Sequence, residues 1–387
     1  MKKICVVTGT RAEYGLLNPL INKMNKDEEI KLSIVVTGSH LSPEYGLTYK
    51  AIIADGFSIG KKIDILMSSD SKSAVCKSMG LAMIGFGEYF EENNFDLIVV
   101  LGDRYEIFAA ASAASVIGIP IAHLHGGEIT EGAYDEYFRH CITKMSYLHF
   151  TSTNEHRNRV IQLGESPDRV FNVGAIGIEN IKHMKLLSKE ELEDSLDFKL
   201  DGPYGLVTYH PETIGNSCAT DEIVELLSAL ESVQGMKFII TKANADHGGR
   251  IINQIIDSFV LNHQERFVAY TSLGQLRYLS AMKYAYVVIG NSSSGIIEAP
   301  SFNKPVVDIG NRQKGRVASK LVFHCETSRQ SILNGINHVL SDDFISKNKN
   351  SKNPYGDGEV SNKILTVIKD YINTSIIRPN KSFYDII

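Results

Sequence analysis

The chain has 387 residues, of which 43% are hydrophobic and 22% charged, a composition typical of globular proteins and not of disordered or fibrous ones. Its length exceeds the usual size of one hydrophobic core, so we expect two domains. The formal net charge of -5 comes with no long run of Lys or Arg, which argues against a nucleic-acid partner, and no apolar run approaches the roughly eighteen residues of a membrane helix.

Five cysteines are scattered along the chain without a CxxC pair. Their number and spacing argue against a disulfide framework and against a structural zinc site. The apolar run at the start, Met1 to Thr8, is too short for the apolar core and cleavage site of a signal peptide. We therefore expect a cytoplasmic protein with reduced thiols, no bound metal and no membrane partner.

In the first half, short Val- and Ile-rich runs alternate with longer segments of helical period. The predicted strands are Lys3–Thr8, Lys31–Thr37, Leu97–Leu101, Pro120–His123 and His149–Thr151. The predicted helices between them include Leu16–Met24, Ser73–Phe90 and Ile107–Ile117. This alternation predicts right-handed βαβ units and a doubly wound parallel sheet, because strands covered on both faces form nearly continuous apolar runs.

The same pattern starts again near residue 200. The predicted strands are Tyr204–Thr208, Lys237–Thr241, Phe267–Ala269, Ala285–Gly290, Pro305–Asp308 and Leu321–His324, with helices such as Asp221–Ser232 and Gly274–Ala281 between them. We expect the polar stretch Asn180–Asp201 to connect or hinge the two domains, Asn348–Asp357 to be a loop and Val360–Ile372 to be a helix. The predicted division is 1–180, 181–365 and a C-terminal helix and tail, 366–387, that packs back on the first domain.

Polar residues follow directly after two neighbouring strands of the first half. Asp103 follows one strand, and His125 and Glu128 follow the next, with Asp135 and Glu136 a few residues further on. Ligands of open α/β sheets bind outside the carboxyl ends of the strands, and neighbouring carboxylates in a partly dry pocket suit general acid/base work. The simpler interpretations are a helix cap for Asp103, a core histidine for His125 and a solvated helix start for the 135–136 pair.

A Gly/Ser loop, Gly290–Gly295, lies between a predicted strand and an apolar helix start. Backbone N–H groups, hydroxyls and the helix dipole of such a loop can converge on phosphate, although the serines could simply be helix N-caps. Three arginines in loops after other strands could complete a diphosphate clamp, namely Arg11, Arg104 and Arg312. Asn244, at a further strand end, is another candidate for substrate binding. His210 precedes a proline, so it is extended and is either a contact to a leaving diphosphate or an ordinary loop histidine.

Six motifs occur together in one order, and the set resembles the hydrolysing UDP-N-acetylglucosamine 2-epimerases of the sialic acid pathway. They are VTGTRAEYG at 7–15, LGDR at 101–104, HGGE at 125–128, YHPE at 209–212, GNSSSG at 290–295 and RQKGR at 312–316. The similarity covers nearly the whole chain. It implies two Rossmann-like domains that face each other across a cleft, the architecture of type B glycosyltransferases.

The resemblance also implies where UDP binds. The family places UDP mainly on its second domain, and His210 matches a histidine close to the diphosphate. The remaining residues carried over are Ser292 and Ser293 at the diphosphate, Glu298 at the ribose, and Arg11 and Arg312 nearby.

In the family the reaction is elimination of UDP to 2-acetamidoglucal, followed by hydration to N-acetylmannosamine. Asp103 and Asp135 match acid/base carboxylates of the family. Many relatives have Glu where this chain has His125, so either His125 or Glu128 takes over that role. No organic cofactor is expected, since neither GxGxxG after the first strand nor a P-loop occurs in the chain.

Three other functions share part of this evidence. A UDP-2,4-diacetamido-2,4,6-trideoxyhexose could be the substrate of the same chemistry, in a legionaminic acid pathway. A UDP-sugar glycosyltransferase would explain the fold but leaves Asp103 and Asp135 without a clear role, and a non-catalytic sensor would bind a UDP-sugar without turnover. We expect a homodimer or homotetramer.

Overall fold

The computed structural model describes residues 1–69, 71–130, 134–211, 219–243, 249–356, 358–374 and 381–386. The chain forms two compact units. The first consists of Met1–Glu128, Asp135–Asn180 and Tyr355–Ile387, and the second of Ile129–Tyr134 and Ile181–Pro354. The sequence-based division at residues 180 and 365 remains a prediction.

A parallel sheet of seven strands forms the centre of the first unit. In chain order the strands are β1 (Lys2–Thr8), β2 (Ile30–Thr37), β3 (Ile59–Ile63), β4 (Leu97–Leu101), β5 (Ile121–Leu124), β6 (Leu148–Thr151) and β7 (Val170–Asn172). Their spatial order is β3-β2-β1-β4-β5-β6-β7, and every neighbouring pair is parallel. The direction of winding therefore reverses between β1 and β4.

Helices cover both faces of this sheet. They are α1 (Arg11–Lys26), α2 (Tyr49–Ala54), α3 (Lys72–Asn93), α4 (Tyr105–Ile117), α5 (Asp135–Met145), α6 (Asn154–Gln162), α7 (Ile176–His183) and, later in the chain, α15 (Val360–Ile372). In β1, Ile4 and Val6 join the apolar cluster that contains α1 and α15, whereas Cys5 and Val7 join the cluster that contains α3 and α4. The continuous apolar run of β1 is thus explained by burial on both faces.

Helix α15 belongs to the first unit, and an apolar stripe on it packs against α1. Val360, Ile364, Ile368 and Ile372 are buried at intervals of four residues in the cluster that contains Leu17, Leu20 and Ile21 of α1. This spacing places them on one face of a helix. The predicted bounds of this helix agree with the observed ones.

A parallel sheet of six strands forms the centre of the second unit. The strands are β8 (Tyr204–Thr208), β9 (Lys237–Thr241), β10 (Phe267–Tyr270), β11 (Val287–Gly290), β12 (Val306–Ile309) and β13 (Val322–Cys325), in the spatial order β10-β9-β8-β11-β12-β13. The helices are α8 (Lys189–Leu196), α9 (Ala219–Ser232), α10 (Gly249–Leu261), α11 (Gly274–Tyr284), α12 (Ser293–Ile297), α13 (Arg329–Val339) and α14 (Asp342–Asn348). Winding reverses here between β8 and β11.

The predicted fold class, α/β with two doubly wound parallel sheets, is confirmed by these two sheets. The segment that we predicted as a polar connection, Asn180–Asp201, is partly helical. It contains α8, which begins with a capping box in which Ser188 and Glu191 bond each other's backbone N–H groups.

Candidate active site

Half of the predicted site residues directly follow the strands at the two points where winding reverses. Such switch points are where open parallel sheets bind ligands, outside the carboxyl ends of their strands. Arg11, Asp103 and Arg104 follow β1 and β4, and His210, Ser292 and Ser293 follow β8 and β11.

Arg139 of α5 is the centre of a charged cluster in the first unit. Its side chain is 4% exposed, and its guanidinium contacts the Asp103 carboxylate. The same group donates to the carbonyl oxygen of His125 at 2.9 Å and lies 4.0 Å from Glu128 Oε2. Burial alone would lower the pKa of Arg139, but the charges of Asp103 and Glu128 outweigh it and hold the pKa above its usual value. Arg139 therefore remains a cation and links the loops after β4 and β5.

His125 and Glu128 form a direct pair in the loop after β5. His125 Nδ1 lies 3.0 Å from Glu128 Oε1, and the Ile176 N–H points to His125 Nε2 at 3.4 Å. The φ of His125 is +65°, a conformation that residues other than glycine seldom adopt. Glu128 is 2% exposed and also accepts a hydrogen bond from Ser152 Oγ at 2.7 Å. The structure thus pairs the two residues between which the sequence could not choose.

His123, at the third position of β5, supports the turn that carries Asp103. Its Nε2 lies 2.8 Å from the Gly102 carbonyl oxygen and its Nδ1 lies 3.2 Å from Thr143 Oγ1. Burial lowers the pKa of His123 to about 3, so the ring is neutral at physiological pH. It therefore donates from Nε2 to Gly102 and accepts from Thr143, which ties the turn after β4 to α5.

Asp135 is the first residue of α5 and lies one helical turn before Arg139. Its charge is among those that raise the pKa of Arg139. Of the five acid/base candidates in this unit, Asp103, His125 and Glu128 contact one another or Arg139 directly. The charges of Asp135 and Glu136 also raise the pKa of Arg139.

Arg104, which also follows β4, lies next to buried carboxyl groups. Arg104 Nε donates to Glu106 Oε1 at 2.8 Å, and Glu106 is 1% exposed. Glu13 Oε2 accepts the Gly9 N–H at 2.7 Å, and burial together with the charge of Glu106 raises the pKa of Glu13 to about 8. Arg11 is exposed at the first position of α1. Arg104 is thus fixed by Glu106.

Asn291 ties together the two central loops of the second unit. It is fully buried, and its side-chain amide bonds both backbone groups of His210, accepting from the N–H at 2.7 Å and donating to the carbonyl at 2.8 Å. Arg312 and Gln313 donate to the Asn291 carbonyl at 3.1 and 2.8 Å. His210 and Arg312 are therefore held at the same loop.

The serines after Asn291 begin α12. Ser292 is the N-cap, and its Oγ accepts from the Ser294 N–H at 3.4 Å. Glu298 directly follows α12, and burial raises its pKa to about 7. The two interpretations of these serines, helix N-cap and phosphate contact, do not exclude each other, because the start of a helix offers N–H groups without intrahelical partners. Two further strand-end residues, Glu212 and Asn244, lie outside the described residues.

Several residues of these clusters were not among the predicted site residues, among them Arg139, Ser152, His123 and Asn291. Within the described ranges no group of three or more His, Cys, Asp or Glu side chains is arranged to hold a metal ion. In the same part of the chain, no helix combines the length and the apolar character that a membrane crossing demands.

Comparison with known proteins connects this chain to one enzyme family. The family described as UDP-N-acetylglucosamine 2-epimerase matches residues 22–369. A GDP/UDP-N,N'-diacetylbacillosamine 2-epimerase (hydrolyzing) of Campylobacter jejuni is 45% identical over 84% of each chain. The polysialic acid biosynthesis protein P7 of Escherichia coli is 42% identical over 100% of this chain and 98% of its own.

Among solved structures, the fold is similar to that of UDP-GlcNAc 2-epimerase from Neisseria meningitidis bound to UDP-GlcNAc. That comparison has a TM-score of 0.80 at 20% identity and covers 95% of this chain and 100% of the other. It supports the two-sheet architecture. With the family match over most of its length and relatives above 40% identity, the chain belongs to the UDP-N-acetylglucosamine 2-epimerase family.

Proposed function

We propose that the protein is a hydrolysing 2-epimerase that converts UDP-N-acetylglucosamine and water to N-acetylmannosamine and UDP. The observation that carries this proposal is the buried cluster of Asp103, Arg139, Glu128 and His125 at the carboxyl ends of β4 and β5. Acid and base groups held together in this way suit proton transfer. The hydrolysing Campylobacter relative supports the same reaction class.

The proposed reaction has two steps. A base removes the proton from sugar C2 while the bond between C1 and the diphosphate oxygen breaks, which gives UDP and 2-acetamidoglucal. Water then adds its oxygen to C1, and a proton returns to C2 on the opposite face. The second step produces the manno configuration, so UDP and N-acetylmannosamine leave as separate products.

We assign the proton transfers to Asp103 and Asp135, with His125 in place of the carboxylate that many relatives have there. The contact of Asp103 with Arg139 orients the carboxylate. Glu128 holds the His125 ring through the 3.0 Å contact at Nδ1, and the Ile176 N–H points to His125 Nε2 at 3.4 Å.

UDP is assigned to the second unit. Ser292 and Ser293 would meet the diphosphate at the start of α12, and His210 and Arg312 lie at the same loop through Asn291. An imidazole or guanidinium that bonds the diphosphate stabilises the charge that develops as the C1–O bond breaks. Glu298 would accept hydrogen bonds from the ribose hydroxyls, and Arg11 and Arg104 remain predicted substrate contacts of the first unit.

A second substrate is favoured by one specific comparison. The Campylobacter relative is named for N,N'-diacetylbacillosamine, a 2,4-diacetamido-2,4,6-trideoxyhexose, whereas the Escherichia coli relative is named for polysialic acid biosynthesis. The chemistry at C1 and C2 is the same for both sugars. They differ only at C4 and C6.

Proton NMR of the products decides between these substrates. Purified protein is incubated separately with UDP-N-acetylglucosamine and with UDP-N,N'-diacetylbacillosamine, without any added cofactor. The proposal expects N-acetylmannosamine and an equal amount of UDP from the first. Turnover of the second sugar alone would move the assignment to the diacetamido substrate, and formation of a UDP-linked epimer without release of UDP would contradict a hydrolysing enzyme.

A further inference from the structure

Tyr278 of α11 connects the ends of two strands with the Gly/Ser loop of the second unit. Its hydroxyl oxygen contacts Ser294 Oγ, at the second position of α12, and lies 3.5 Å from Thr208 Oγ1, at the last position of β8. Thr208 Oγ1 in turn lies 2.5 Å from Thr241 Oγ1, at the last position of β9. We propose that Tyr278 is a positioning residue that fixes the start of α12 for the diphosphate of UDP. This inference rests on the assignment of UDP to the second unit in the proposed function.

The hydroxyl of Tyr278 reaches both serines at the start of α12. Burial raises the pKa of Tyr278 above its ordinary value, against hydrogen bonds from Ser294, Thr208 and Ser292, so the hydroxyl keeps its hydrogen at neutral pH. Ser294 Oγ lies 3.2 Å from Ser292 Oγ, which also accepts the Ser294 N–H at 3.4 Å. A hydroxyl has one hydrogen and two lone pairs. The contacts with Tyr278 therefore restrict the directions in which the two serine hydroxyls can point.

The backbone of the Gly/Ser loop is held against the end of β8. A Cβ at Gly290 would lie 1.9 Å from the Thr208 carbonyl oxygen, and the Asn291 N–H donates to the same oxygen at 3.1 Å. These contacts fix the first two residues of the loop. The hydroxyl of Tyr278 adds a contact two residues after the N-cap, so the loop is held both where it leaves β11 and where α12 begins.

Loss of the Tyr278 hydroxyl should affect the diphosphate and not the nucleoside. Tyr278→Phe keeps the ring, but Ser294 loses its partner on α11 and can turn to a carbonyl oxygen of the preceding turn. Ser292, whose hydroxyl contacts that of Ser294, then loses its fixed direction as well. The loss of one hydrogen bond between neutral groups predicts roughly tenfold weaker UDP binding. Uridine, which has no diphosphate, should bind equally well to both proteins.

The test is a double-mutant cycle on ligand binding. Calorimetry measures the UDP affinity of the wild type, Tyr278→Phe, Ser294→Ala and the double variant, and an NMR titration measures the uridine affinity of the same four proteins. Each single variant should bind UDP roughly tenfold more weakly. The double variant should bind it no more weakly than the single ones, because both substitutions remove the same contact. Uridine affinity should be equal in all four proteins.

Tyr284→Phe is the matched control, because Tyr284 lies on the same helix and its hydroxyl donates to the Leu187 carbonyl at 3.2 Å. This variant should bind UDP as the wild type does. Unchanged UDP affinity in a folded Tyr278→Phe, additive losses in the double variant, an equal loss for uridine, or a wild type that binds no UDP each overturn the inference. Because binding is measured without turnover, a protein that binds UDP through Tyr278 but releases no N-acetylmannosamine would confirm the inference and contradict the proposed function.

Discussion

Replacing Arg139 with methionine keeps nearly the same side-chain length but removes the cation from the acid/base cluster, which consists of Asp103, His125, Glu128 and Arg139. The guanidinium contacts Asp103, lies 4.0 Å from Glu128 and donates to the His125 carbonyl at 2.9 Å. In the variant, two carboxylates lose this cation, and one of them, that of Glu128, is 2% exposed. Breaking a buried ion pair by removing one partner costs about 3–5 kcal/mol.

For a compact unit of this size, 1 kcal/mol corresponds to roughly 2–4 °C in the unfolding temperature. We therefore expect Arg139→Met to unfold about 10 °C below the wild type at neutral pH in a circular dichroism melt. The deficit should shrink at mildly acidic pH, because protonation of the carboxylates removes the uncompensated charge. Arg139→Lys is the control: it keeps the charge but not the planar fork, so its deficit should be smaller. An unfolding temperature of Arg139→Met close to that of the wild type at neutral pH would refute this account of the cluster.

Three further outcomes follow from the second unit. Arg312→Ala, which loses the bond to the Asn291 carbonyl at 3.1 Å, should bind UDP at least roughly tenfold more weakly in calorimetry, and equal affinity would remove it from the site. Burial raises the pKa of Glu298 to about 7, so its contribution to the free energy of unfolding is complete below the ordinary pKa of a glutamate and is lost as the pH rises through about 7. In urea unfolding, the free energy of unfolding of Glu298→Gln should therefore fall less than that of the wild type between pH 5 and pH 8. Equal losses in the two proteins would count against this. Gly290→Ala should destabilise the protein, since a Cβ there would lie 1.9 Å from a backbone oxygen of β8, whereas Gly202→Ala meets nothing within 4 Å and should melt as the wild type does.

The strands that sequence analysis missed, β3 and β7, are the two edges of the first sheet. Three of the five residues of β3 are exposed, including two lysines, and β7 has only three residues. Edge strands are commonly short and charged, which protects them from pairing with other chains. The apolar run by which buried strands are recognised is therefore missing at these positions. The central strands, covered on both faces, were all predicted.

The acid/base cluster was predictable in part, because Asp103, His125 and Glu128 all follow neighbouring strands. Their connection through Arg139 was not. Arg139 lies on the buried face of α5 with Ile142 and Thr143, and a cation on such a face is recognisable only when the carboxylates that balance it are known.

Contacts between side chains that are far apart in the chain also could not be predicted from the sequence. Ser152 follows β6 next to Thr153, and the two hydroxyl residues are equally good candidates for the helix cap. Only the structure shows that Thr153 caps α6 while Ser152 turns to Glu128. Likewise, Asn291 lies 81 residues from His210, the residue it holds, and no local pattern indicates that pairing.

Solvent exchange at sugar C2 tests the central claim, elimination by the first unit's acid/base cluster, most directly. UDP-N-acetylglucosamine is turned over in deuterated water, and the product is analysed by proton NMR and mass spectrometry. The account predicts UDP and N-acetylmannosamine with deuterium at C2, and it predicts that Asp103→Asn lowers kcat by roughly a hundredfold or more while UDP affinity changes only a few fold. Product that retains its original C2 proton, or near-normal turnover by Asp103→Asn, would contradict it.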